Sequence, residues 1–155
     1  MTGPIPLDTS LPLDDQSTAA HELGHAIVMR SFGFVPSLIR IHPWLGGGYC
    51  ESETRIETWQ NLRDYGVTLV AGYEAEQHWR GLRELSAASS MASWADMSEF
   101  WRARRELHQN QDEIRIQENA ARAEAREILL EHWEELERLV PELVHETTLK
   151  KLETP

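Results

Sequence analysis

Residues Thr18 to Val28 read TAAHELGHAIV, and within them His21-Glu22-Leu23-Gly24-His25 sets two histidines four positions apart. On an α-helix, positions i and i+4 lie on one face, one turn apart. Both imidazoles can therefore address a single metal ion, with Glu22 beside them to polarise a water there. The bland alternative is two surface histidines and a glutamate on an ordinary helix. Ala19, Ala20, Ala26, Ile27 and Val28 weigh against it, because polar groups with such flanks sit near a core and need partners. The stretch predicts a helix over about residues 16–32, buried on one side. Asp14, Asp15 or Ser17 would cap it, and Gly33 would stop it.

Charge and cysteine usage narrow the chemistry. With 155 residues the chain suits one domain. A net charge of −11, from 26 acidic and 15 basic residues, argues against nucleic-acid partners and anionic membrane surfaces. Cys50 is the only cysteine, so a metal must be held by histidine and carboxylate, and a reducing cytoplasmic setting fits. The start, MTGPIPLDTSLPLD, lacks the basic-then-apolar pattern of a signal peptide. The longest apolar stretch, around Val67 to Ala71, is too short to cross a bilayer.

The rest of the chain reads as mainly helical, with one small β element. Residues 1–14 carry Pro4, Pro6 and Pro12 and predict a flexible N-terminal segment, leaving 15–155 as a single compact domain. Ser37 to His42 has β-type alternation, Gly46-Gly47-Gly48 is turn material, and Tyr49 to Ser52 can return as a second short strand. A hairpin or edge ribbon between the first two helices follows. Helices are expected at about 58–80, 93–109 and 112–140, with a last one at 141–152 opened by Pro141.

A catalytic zinc site takes three protein ligands and keeps one position open. The nearby candidates for the third are Glu74, Glu76, His78 and Asp96. Glu74 and Glu76 are two positions apart and point to different faces of a helix, so only one can face the metal. Ser93-x-x-Asp96 also reads as a capping arrangement at a helix start. On residue chemistry alone, Glu76 and Asp96 stay open.

Four stretches, in order, resemble the peptidase domain of the FtsH-type ATP-dependent zinc proteases. HELGHAIV (21–28) is similar to that family's zinc helix, and Val70-Ala71-Gly72-Tyr73-Glu74-Ala75-Glu76 to its small-residue helix ending in Ala-Glu-Glu. Ser93 to Met97 sits where the family has Asn-Asp-Leu, with Ala95 in place of the asparagine. The region from Ala125 to Leu149 looks like its C-terminal helices. The resemblance spans about residues 17–152. It implies Zn2+ held by His21, His25 and Asp96, with Glu22 as general base and Glu76 orienting a ligand. It also implies a β element beside the substrate, so that Leu38, Ile39, Arg40 and Ile41 would offer an edge to an extended peptide.

The implied activity is a zinc metalloendopeptidase acting on flexible or partner-presented protein segments. The family's ATPase module and membrane helices have no counterpart here. A homo-oligomer, or an ATPase or regulatory partner, would fit that picture. The rival reading is a regulatory or binding module on the same fold, with a single partner protein as target. Among six tryptophans, Trp44 and Trp94 are the two expected near a cleft.

Overall fold

The computed structural model describes residues 3–43, 46–53, 61–88, 91–107, 109–150 and 152. At its centre lies helix α1 (Leu13–Ser31). It is buried on nearly every face rather than on one. Ala19, Ala20, Leu23, Ala26, Ile27 and Val28 are fully enclosed, and so are the polar Gln16, Ser17, His21 and Glu22. A helix buried all round needs neighbours on all sides, and α1 has them in α2, α4, α5 and the sheet. Its first turn corrects the capping expectation. Pro12 is the N-cap, no side chain caps the helix, and Asp14, Asp15 and Ser17 lie inside it.

Helix α2 (Leu62–Leu82) packs most extensively on α1. The contact is backbone-close because the residues there are small. A Cβ on Gly24 would lie 2.5 Å from the Ala75 Cβ and 2.7 Å from the Ala71 carbonyl oxygen. Gly81 lies within the last turn of α2, and residues 58–60 of the expected helix fall outside the described residues. Helix α3 (Met91–Arg105) starts before Ser93, which is buried inside it, so the capping reading of Ser93 and Asp96 is overturned. Its C-terminal half is anchored by Phe100 and by Arg104, whose guanidinium lies 3.6 Å from the Phe100 ring centroid. Gly66 of α2 makes room there: a Cβ on it would lie 2.5 Å from Arg104 Nη2.

Helix α4 (Gln111–Glu131) opens on a capping box between Asn110 and Glu113. It is tied to α2 by Glu74, a buried carboxylate that meets Arg122 Nη1 at 2.9 Å and Arg126 Nη1 at 3.1 Å. The expected helix over 112–140 is in fact two, because the chain turns at His132 and continues as α5 (Trp133–Glu146). The turn swings Leu136, Leu139, Val140 and Leu143 into the core. Pro141 therefore lies within α5 instead of opening a last helix. That last helix does not form. Thr147 takes a left-handed conformation (φ 62°) and its N–H caps the Leu143 carbonyl at 2.7 Å, as helix-ending residues do.

Beyond Thr147 the chain becomes a strand. A three-stranded antiparallel sheet forms in the order β2 (Gly48–Ser52), β1 (Pro36–Ile41), β3 (Thr148–Lys150). The hairpin expected between the first two helices is present, with Ile39 opposite Cys50. Its first strand is not an edge, however. Leu38, Ile39 and Arg40 pair with Lys150, Leu149 and Thr148 on the other side, and the Ile41 N–H donates to the Thr147 carbonyl. Leu38 to Ile41 thus form the middle strand, and among the described residues the outer side of β2 is an edge of the sheet.

The N-terminal segment also departs from the expectation of a loose tail. Leu7 and Leu11 pack against the core, the Ile5 N–H donates to the Leu82 carbonyl at 2.9 Å, and Gln16 Nε2 donates to the Asp8 and Leu11 carbonyls. Among the described residues, no helix is long and apolar enough to cross a membrane. The α1–α2 contact should be the fold's most volume-sensitive point. Gly24→Ala should destabilise by about 1–3 kcal/mol through overpacking. Urea unfolding of the metal-free protein would read it, and a wild-type midpoint would contradict the packing described.

Candidate metal centre

One turn of α1 brings His21 and His25 to a common point, their rings edge-to-face with centroids 4.8 Å apart. Helix α3 supplies Asp96 from across the gap. His21 Nε2 and His25 Nε2 are 3.2 Å apart, and Asp96 Oδ2 lies 3.3 Å from the first and 3.1 Å from the second. Donors at about 2.0–2.1 Å from a tetrahedral ion are separated by about 3.3 Å. The three atoms therefore form one face of such a tetrahedron. Among the described residues, His21, His25 and Asp96 are a cluster that could hold a metal ion.

The hollow at that face depends on Gly72 of α2. A Cβ there would overlap His25 Nε2 and lie 2.6 Å from His21 Nε2. Within the small-residue stretch Val70 to Glu76, Gly72 is the position whose backbone lies against both Nε2 atoms. The same bare stretch of α2 orients His25, whose Nδ1–H donates to the Thr68 carbonyl at 2.7 Å. A carbonyl oxygen has two lone pairs, so Thr68 can accept this bond as well as a helical one. No side-chain pattern foretells a backbone acceptor of this kind.

Glu76 is placed behind His21, its Oε2 3.1 Å from Nδ1, and is buried. It cannot share the Nε2 face with Asp96, so the two open candidates separate: Asp96 lies among the donor atoms and Glu76 on the far side of the ring. Glu74 points elsewhere, into the arginines of α4, as the two-residue offset requires. His78 packs its ring edge-on against Trp133 with centroids 4.4 Å apart. Trp94 is 71% exposed, and a two-residue step turns about 200° around a helix, so it faces away from Asp96. Trp44 lies outside the described residues.

Glu22, next to His21 in the motif, is buried against the hairpin. A Cβ on Gly48 would come within 3.0 Å of its Cγ. Burial pushes the Glu22 carboxyl above its usual range, opposed by the positive fields of His25 and His21. The same surroundings push the Cys50 thiol up, through burial first and then the carboxylates of Glu22 and Glu51. His21 is under opposing influences: burial disfavours its charged form, but hydrogen bonds to Asp96 and Glu76 outweigh this and raise it to about 10. Burial raises the Asp96 carboxyl, but His25 and His21 overcome it and hold the group well below the usual carboxylate range.

No protein-family model matches this chain, and no curated protein matches it significantly. The site is described by its own geometry.

Two outcomes follow for metal uptake. Gly72→Ala should abolish binding of a divalent ion, because a methyl group would occupy the position between the imidazoles. Equilibrium dialysis of the folded variant checks this, and undiminished binding would refute it. The second concerns pH. The folded, metal-free protein keeps the His21 proton until about 10, against about 6.5 in the unfolded chain. That proton's contribution to stability is full below 6.5 and lost as pH rises through about 10. A metal needs the neutral ring. Binding at pH 7 should thus release at least one proton, and affinity should climb about tenfold per pH unit. Calorimetry in buffers of different ionisation enthalpy measures the release; none would mean that His21 is not a ligand.

Proposed function

We propose that this chain is a zinc-dependent endopeptidase, with His21, His25 and Asp96 holding Zn2+ and Glu22 as general base. The observation that carries the reading is the triangle of donor atoms over the bare Gly72, with Glu22 on the same helix turn. Two imidazoles and one carboxylate leave a four-coordinate ion one further position, the donor set of catalytic zinc. Zinc, when bound, supplies Lewis acidity that acidifies a water and polarises a carbonyl. The residues of the chain do the rest. A buried Glu22, with its carboxyl raised, is suited to take a proton from water near neutral pH and return it to the leaving amine. The resemblance to FtsH-type peptidases assigns the same roles to these residues.

The sheet supports an extended peptide as substrate. Because β1 is paired on both sides, the edge beside the site is the outer side of β2, whose first residue, Gly48, abuts Glu22. A peptide adding there by main-chain hydrogen bonds would run past the general base. A flexible or partner-presented segment meets this demand; a folded domain does not.

Glu22→Gln tests the assignment. It should keep the fold and the zinc while lowering hydrolysis of a peptide library by about 100- to 10,000-fold, the contribution of a positioned proton-transfer group. Zinc content and turnover are to be measured on the same sample. Retained turnover would remove Glu22 from the mechanism, and a wild-type protein that binds zinc but cleaves nothing would favour the binding-module reading.

A further inference from the structure

Behind His21 runs a chain of polar groups, buried except at its half-buried end, Arg80, that neither metal binding nor proton transfer uses directly. Ser17, one turn before His21 on α1, places its Oγ 2.6 Å from Glu76 Oε1. Arg80, one turn after Glu76 on α2, places Nη1 3.2 Å from the same Oγ. Ser17 is 3% exposed and Glu76 7%, so water does not compete freely for these bonds.

The donor inventory gives the chain a direction. A guanidinium has donors and no acceptor, and a hydroxyl has one proton to give. Ser17 must therefore accept from Arg80, which leaves its own proton for Glu76 Oε1. The Glu76 carboxylate, an acceptor at both oxygens, then takes the Nδ1–H of His21 at Oε2, 3.1 Å away. A neutral imidazole that carries its proton on Nδ1 has its lone pair on Nε2. Nε2 is the atom that faces His25 and Asp96.

The geometry points to Arg80 and Ser17 as positioning residues: they polarise a one-way relay, Arg80 to Ser17 to Glu76, that holds His21 in the tautomer and ring orientation needed for metal binding. Arg80 does a second thing. Its Nε donates to the Ser86 carbonyl at 2.6 Å and its Nη2 lies 3.3 Å from Ser86 Oγ. Ser86 is in the connection leading from α2 to α3, the helix that carries Asp96. One guanidinium thus contacts both Ser17 on α1 and the start of the connection that follows α2. The inference rests on the metal-centre reading, and it adds residues outside the HELGH motif.

The test uses the full chain with zinc, competed against a chromogenic chelator at fixed pH, and circular dichroism of each metal-free variant. Ser17→Ala, which leaves the His21–Glu76 bond in place but frees Glu76 to turn, should weaken zinc binding by about 10-fold, the low end of what losing a ligand's own hydrogen-bond partner costs. Arg80→Met, which keeps length but removes the donors, should weaken it in the same direction. Arg80→Lys, which keeps donors and adds no acceptor, should recover most of the affinity. In the zinc-loaded protein the His21 Nδ1 proton should be visible and slow to exchange by NMR, and should be lost or exchange fast in Ser17→Ala. Wild-type affinity and an unchanged Nδ1 signal in folded Ser17→Ala and Arg80→Met would overturn the relay. An equal loss in Arg80→Lys and Arg80→Met would overturn its directional part. No zinc binding by the wild type would overturn this inference and the proposed function together. Binding without hydrolysis would overturn the peptidase reading alone.

Discussion

The architecture depends on how closely α1 and α2 can approach. Gly24 lets the helix backbones come together over Ala71 and Ala75, and Gly72 leaves just the room that the two imidazoles fill. Those glycines do opposite jobs on the same contact: one closes the distance and the other keeps that room. A helix pair at ordinary separation would give His21 and His25 no access to the carbonyl of Thr68 or the carboxylate of Glu76. Glycine inside a helix costs about 0.5–1 kcal/mol relative to alanine, and the close packing offsets that penalty.

The donor cluster gathers like charges in a poorly solvated place. Glu22, Glu76 and Asp96 lie near one another, with the two histidines as their nearest basic groups. Without an ion the histidines act as counter-ions, which is why the carboxylates drive His21 up against the opposing effect of burial. A divalent cation would take over that neutralising role. Elsewhere buried charges are settled locally: Glu74 is matched by two arginines, and Arg83 by Glu137 and the face of Trp79.

Much of the site was legible before any coordinates. The HELGH spacing brought two imidazoles to one point with Glu22 buried on the same turn, and the offset between Glu74 and Glu76 allowed only one of them toward the histidines. Residue chemistry alone left Glu76 and Asp96 undecided because each had a plausible local role, and only the fold shows which side of the His21 ring each occupies. Ser17 was misread as a cap for a similar reason. Serine near a helix start is usually a cap, whereas here Pro12 starts the helix a turn earlier and frees Ser17 for Glu76. The helices were broadly legible, but the break at His132 was not, since no glycine or proline marks it. The third strand was hidden too: Thr148-Leu149-Lys150 is too short to announce itself, and its partner lies more than a hundred residues earlier.

That third strand has a consequence for how the chain assembles. The partners of β1 lie at very different points along the chain: β2 follows it directly, while β3 follows α5. Without β3 one side of β1 is an open row of peptide donors and acceptors, the kind of surface that recruits strands from other molecules. The left-handed kink at Thr147 is what delivers the closing strand. Pairings of such long sequence separation form slowly. The second side of β1 is thus closed by the contact of longest sequence separation in the sheet, and a chain cut short before Thr148 would leave that side unpaired.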